Sequence, residues 1–133
     1  MTDPELERRV RGTFERWNRG DHSFDPEWTH PDIEIHTAVA GLSGAVYRGR
    51  EGLELWVADM EEVFDEWRLD LGELEEVSPT RLFAVGTVHL RGRGSGVGVD
   101  QPCAWVLDHV DGVLTRFEPF LNRVEEARAA AFS

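Results

Sequence analysis

Apolar side chains recur three and four residues apart at Leu6, Val10, Phe14 and Trp17, with Thr13 on the same stripe. That period predicts an amphipathic helix, capped by Asp3, opened by Pro4 and ended at Gly20. Asp25 and Pro26 repeat the start signal and predict a short second helix that carries Trp28 and stops at Pro31. Residues 33–37, IEIHT, alternate as a brief strand does. A turn-rich segment with Gly41, Gly44 and Gly49 then leads into the clearest helical stripe, Leu53, Trp56, Val57, Met60, Val63 and Phe64. Glu54, Asp59, Glu61, Glu62 and Asp65 fall in the same span and read as its solvated face.

From Trp67 the period changes to two. Trp67, Leu69 and Leu71 alternate up to Gly72, and the phase then moves to Leu74 and Val77, which predicts a bulge in a long strand. Residues 81–92 and 99–109 read as two further strands, Asp111-Gly112 as a two-residue hairpin turn, and 113–122 as the last strand. A short helix over 124–131 closes the chain. The order predicts an α+β fold, one domain over residues 1–133, with helices packed on one face of a curved sheet. The stretch RGRGSGVGVD, residues 91–100, has the glycine content of a phosphate cradle. It lies between two strands with no helix after it, however, so it reads as a long hairpin tip.

Composition narrows the choice of partner. The net charge is −12, from 26 acidic and 14 basic residues, and every basic residue is Arg. Such a field repels nucleic acid and anionic lipid, and the absence of Lys removes Schiff-base chemistry. No apolar run approaches the roughly 20 residues of a membrane span, and the start MTDPELERR lacks a signal-peptide core, so a cytoplasmic protein is expected. Cys103 is the single cysteine and reads as a small core residue. The histidines, at 22, 30, 36, 89 and 109, show no metal-ligand spacing, no Gly-x-Ser-x-Gly elbow is present, and no cofactor is implied.

If Asp111-Gly112 is the turn, Trp105 lies opposite Glu118, Cys103 opposite Phe120 and Leu107 opposite Arg116. A preceding turn at Ser95-Gly96 sets Gly86 against Trp105 and Val88 against Cys103. One face then carries Leu82, Ala84, Gly86, Val88, Leu90, Cys103, Trp105, Leu107, Arg116, Glu118 and Phe120, a largely apolar pocket floor. Phe117 falls on the other face, with Arg81, His89, Arg91 and Asp108.

The helix ending in WNRGD, the segment HPDIEIHT, the helix entry YRGREGL and the final hairpin leading to RFEPFLNR resemble the SnoaL-like branch of the nuclear transport factor 2-like superfamily. The resemblance covers nearly the whole chain. It implies a cone: a strongly curved, mostly antiparallel sheet wrapped around three helices, open at one end and often paired as a homodimer. Similar domains serve as polyketide cyclases, steroid isomerases, epoxide hydrolases, dehydratases and non-catalytic binding or scaffold modules, and fold does not choose among them. The resemblance sets His36 at the position of the steroid isomerases' general base and Thr13 at that of their tyrosine donor. Their protonated carboxyl donor falls near Cys103 or Trp105. Without those donors, ketosteroid isomerase activity itself is not expected.

His36 is the first candidate acid or base, because imidazole titrates near neutral pH. Strand alternation with Ile33 and Ile35 turns it outward, whereas the resemblance turns it inward. Glu118 is the second, as an acid or base on an apolar floor or as a structural partner of Arg116. Trp17, Tyr47, Trp56, Trp105, Arg116 and Phe120 are candidate ligand contacts, although aromatic residues at such positions more often belong to a core. Two functions follow: a cofactor-free proton-transfer enzyme acting on a small apolar or polycyclic carbonyl compound, or a non-catalytic dimer that holds a hydrophobic molecule.

Overall fold

The computed structural model describes residues 4–36 and 46–132. The stripe of Leu6, Val10, Phe14 and Trp17 forms α1, Pro4–Asn18, with these side chains and Thr13 buried. Gly20, at φ 95°, ends it in the left-handed region that glycine enters freely. The helix expected after Asp25 is instead a single turn, in which the Trp28 N–H bonds to the Asp25 carbonyl at 3.2 Å. The chain passes directly into β1, Thr29–His36. The Asp3 cap and the turns at Gly41 and Gly44 lie outside the described residues.

A short strand that the sequence pattern does not announce, β2 (Val46–Arg48), precedes α2, Gly49–Val63. Four long elements follow: β3 (Phe64–Ser78), β4 (Arg81–Gly92), β5 (Gly98–Val110) and β6 (Val113–Leu121). The last helix, α3, spans Val124–Phe132. The six strands form one sheet in the order β2-β1-β6-β5-β4-β3. All neighbours are antiparallel except β1 and β6, which run parallel. This is the expected α+β cone, with a sheet that stays open at β2 and β3.

Two cores flank the sheet. Side chains of α1 and α2 bury the inner face around Trp17, Trp56, Ile33, Ile35 and Leu107. The expectation of helices on one face does not extend to α3. Its Ala127 and Ala131 pack on the outer face, over Phe83, Ala104, Val106 and Phe120.

Register decides what the inner face presents. The bulge expected at Gly72 is present, as a shift between Leu71 and Glu73. The tip at residues 92–97 sets Ala84, not Gly86, opposite Trp105, and Gly86 opposite Cys103. That two-residue correction leaves every side chain on its expected face, because the strand period is two. The last hairpin differs more. Val110 pairs with Val113 and His109 with Leu114 around the expected Asp111-Gly112 turn, both of whose residues have positive φ. The register then slips by one, and Asp108 pairs with Arg116. Thr115 is the extra residue, and its hydroxyl donates back to the Asp108 carbonyl at 3.1 Å.

Candidate functional site

The one-residue slip corrects the expected pocket floor. Trp105 lies opposite Pro119, Cys103 opposite Leu121 and Leu107 opposite Phe117. Arg116, Glu118 and Phe120 therefore take the outer face, and Phe117 turns inward, where it is 1% exposed. Phe120 is buried against α3, with the Arg123 guanidinium 5.4 Å from its ring centre.

His36 also faces outward, as the alternation with buried Ile33 and Ile35 requires. Its Nε2 lies 2.8 Å from Glu34 Oε1, and Arg48 stands 3.5 Å from the other carboxylate oxygen. The hydrogen bond from His36 holds the Glu34 carboxyl below its ordinary value, with Arg48 and Arg116 adding to it against partial burial. Beside this group, Arg116 donates to Glu118 at 2.7 Å. His36, Arg116 and Glu118 thus share a half-buried ionic belt on the outer face, each already engaged with a neighbour.

Of the aromatic candidates, the structure brings Trp17, Trp56 and Trp105 together inside the cone. They line an apolar pocket with Met60, Trp67, Leu69, Val88, Leu90, Cys103, Phe117, Pro119 and Leu121. The rings stack edge to face: Trp56 and Trp67 lie 5.2 Å apart at 90°, and Trp17 is 5.9 Å from Phe117 at 69°. The free space is about 20 Å³, room for roughly one water. The Trp17 indole N–H donates to the Ser23 carbonyl at 3.0 Å. By contrast, the buried Trp56 N–H has no acceptor among the described residues. Burial pushes the Cys103 thiol up to about 12, so no thiolate is available there near neutral pH. Tyr47 is not part of the pocket wall. Its hydroxyl donates to Asp59 at 2.7 Å, and burial followed by that carboxylate raises it to about 12.

Trp67 and Phe117 are the aromatic pocket residues that the sequence does not single out, and Leu69, Pro119 and Leu121 join them in the wall. Trp67 sits on the alternation with Leu69 and Leu71, which could have marked it. His22 stacks on the back of Trp67, with ring centres 4.6 Å apart. A larger surface groove of about 590 Å³ lies beside α3, lined by Arg81, Asp108 and Phe132 among others. It is open to solvent, and its Arg81 and Asp108 are already joined by two hydrogen bonds of 2.7 and 3.2 Å.

No protein-family model and no curated protein matches this sequence. Solved structures do match its fold. A nuclear transport factor 2-like protein of unknown function from Burkholderia pseudomallei superposes over 95% of this chain and 97% of its own, with a TM-score of 0.79 at 21% identity. TerC, co-crystallised with polyporic acid, matches over 96% and 97%, with a TM-score of 0.75 at 20% identity. A protein from Shewanella denitrificans described as a SnoaL-like polyketide cyclase matches over 97% of both chains, at 0.71 and 14%. With the element order, the open mixed sheet and the aromatic-lined interior, these likenesses establish that the chain has the nuclear transport factor 2-like fold, the α+β cone of the SnoaL-like and ketosteroid isomerase-like proteins.

Proposed function

We propose that this chain is a small-molecule-binding domain that takes a flat, largely apolar ligand with a hydrogen-bond acceptor into the tryptophan pocket. The observation that carries this reading is the Trp56 indole N–H, buried in an apolar wall with no acceptor among the described residues. A buried donor without a partner costs about 1–3 kcal/mol, and a carbonyl or quinone oxygen would recover that cost. The present free space is too small for such a ligand, so binding requires side chains to move. Met60 has the flexible, polarisable side chain suited to that adjustment. TerC's co-crystallisation with polyporic acid makes that compound a suitable first probe.

The reading is of binding without proton transfer by His36 and Glu118. Both lie across the sheet from the pocket and are held by Glu34 and Arg116. Thermal unfolding with polyporic acid and a panel of neutral polycyclic ketones tests it. A ligand at 100 times its dissociation constant adds about 2.7 kcal/mol of stability. No stabilisation across the panel would remove the support for a ligand pocket.

A further inference from the structure

β3 is an edge strand of 15 residues, and its outer rim offers backbone groups to any strand that approaches. At its centre the rim is occupied. The Asn18 side chain, on the last residue of α1, accepts from the Leu69 N–H at 2.7 Å and donates to the Leu69 carbonyl at 2.6 Å. These are the two hydrogen bonds that a paired residue on a seventh strand would make. Arg11, two turns earlier on the same helix, reaches the Gly72 carbonyl at 3.3 Å. The helix end is fixed from both sides, by buried Trp17 before Asn18 and by the left-handed Gly20 after it.

We infer that Asn18 is a strand-mimicking plug that keeps β3 from pairing edge to edge with β3 of a second copy. The occupant follows from the sequence around Leu69. In an antiparallel pair with Leu69 on the two-fold axis, each Leu69 exchanges N–H and C=O with its mate, replacing both bonds to Asn18. Arg68 of one copy then stands opposite Asp70 of the other, twice, and Trp67 opposite Leu71. Arg68 and Asp70 are 48% and 62% exposed at their side chains, and although Asp70 Oδ2 lies 2.6 Å from His89 Nε2, an incoming Arg68 can join that exposed carboxylate. Opposite charges across a strand pair favour it, and no like charges meet within residues 67–71.

Sedimentation velocity over a concentration series, comparing wild type with Asn18→Ala, reads the effect directly. The variant should gain a species of about twice the wild-type mass that grows with concentration. Hydrogen exchange should show the Leu69 amide, stripped of its Asn18 acceptor in the variant's unassociated form, protected again in that species, and adding Arg68→Glu should reverse the association. Asn18→Asp keeps an oxygen for the Leu69 N–H but cannot donate to its carbonyl. It should associate more weakly than Asn18→Ala, and it decides the matter if Asn18→Ala does not fold. An unchanged mass distribution in the folded variants, or a larger species in which Leu69 gains no protection, would overturn the inference.

Discussion

Truncating Phe117 to Ala, beside Glu118 to Ala, separates the observed register of β6 from the one that simple pairing around Asp111-Gly112 predicts. Phe117 is 1% exposed and touches a ring on three sides: Trp17, Phe24 and Trp56, at 5.9, 5.8 and 5.7 Å. Removing a phenyl group from such a site costs about 3–5 kcal/mol, because the cavity left behind cannot collapse against a sheet. For a domain of this size that lowers Tm by roughly 10–20 °C. Glu118 is 24% exposed at its side chain, and its Arg116 partner 39%. An ion pair so open to water contributes about 0–1 kcal/mol, so Glu118→Ala should move Tm by no more than a few degrees. Urea unfolding followed by circular dichroism measures both. A loss under about 1 kcal/mol for Phe117→Ala, with a larger one for Glu118→Ala, would refute the register and the pocket built on it.

Three further outcomes follow. His89 lies 2.7 Å from Asp100 and 2.6 Å from Asp70, and these hydrogen bonds raise it above its ordinary 6.5. A raised histidine stabilises fully below its unfolded value and loses that contribution as pH rises through the folded one. The stability gap between wild type and His89→Gln, about 1 kcal/mol given the exposed carboxylates, should therefore be present near pH 5.5 and shrink as pH rises through the raised value. A gap that widens with pH would contradict the clamp. Gly86→Ala drives a Cβ into the Asp70 carbonyl and should destabilise by at least about 1–3 kcal/mol. Gly12→Ala, helical with nothing within 4 Å, should stabilise by about 0.5–1 kcal/mol, so chemical denaturation should give opposite signs. Cys103, buried with its thiol raised to about 12, should resist a thiol reagent at neutral pH until the chain unfolds. Rapid labelling of the native protein would contradict its burial.

The sequence made most elements legible because their periods are strong. The stripe of α1, that of α2 up to Met60, the Gly72 bulge and the Asp111-Gly112 turn stand where local chemistry placed them, whereas Val63 is 44% exposed and Phe64 already opens β3. The Asp25-Pro26 start signal failed because one turn suffices to bury Trp28 before Thr29 joins the sheet. The facing of β6 departs from simple alternation at one residue, Thr115. Leu114 and Phe117 are both buried, three apart, where unbroken alternation demands an even spacing. The same phase break at Leu71 and Leu74 marks the bulge in β3, and at Thr115 it inverts the facing of Arg116, Glu118 and Phe120. His36 was legible from alternation alone, since Ile33 and Ile35 fix the inward face of β1.

On the proposed function, a ligand enters the tryptophan pocket and does not engage the outer ionic belt. Isothermal titration of the tightest ligand from the panel into three proteins tests it most directly: wild type, Trp56→Phe, and the double variant His36→Ala with Glu118→Ala. Wild type and the double variant should bind with equal affinity. Trp56→Phe, which removes the indole donor while keeping a ring, should bind about tenfold more weakly, the equivalent of one hydrogen bond. Unchanged binding in Trp56→Phe together with lost binding in the double variant would contradict it.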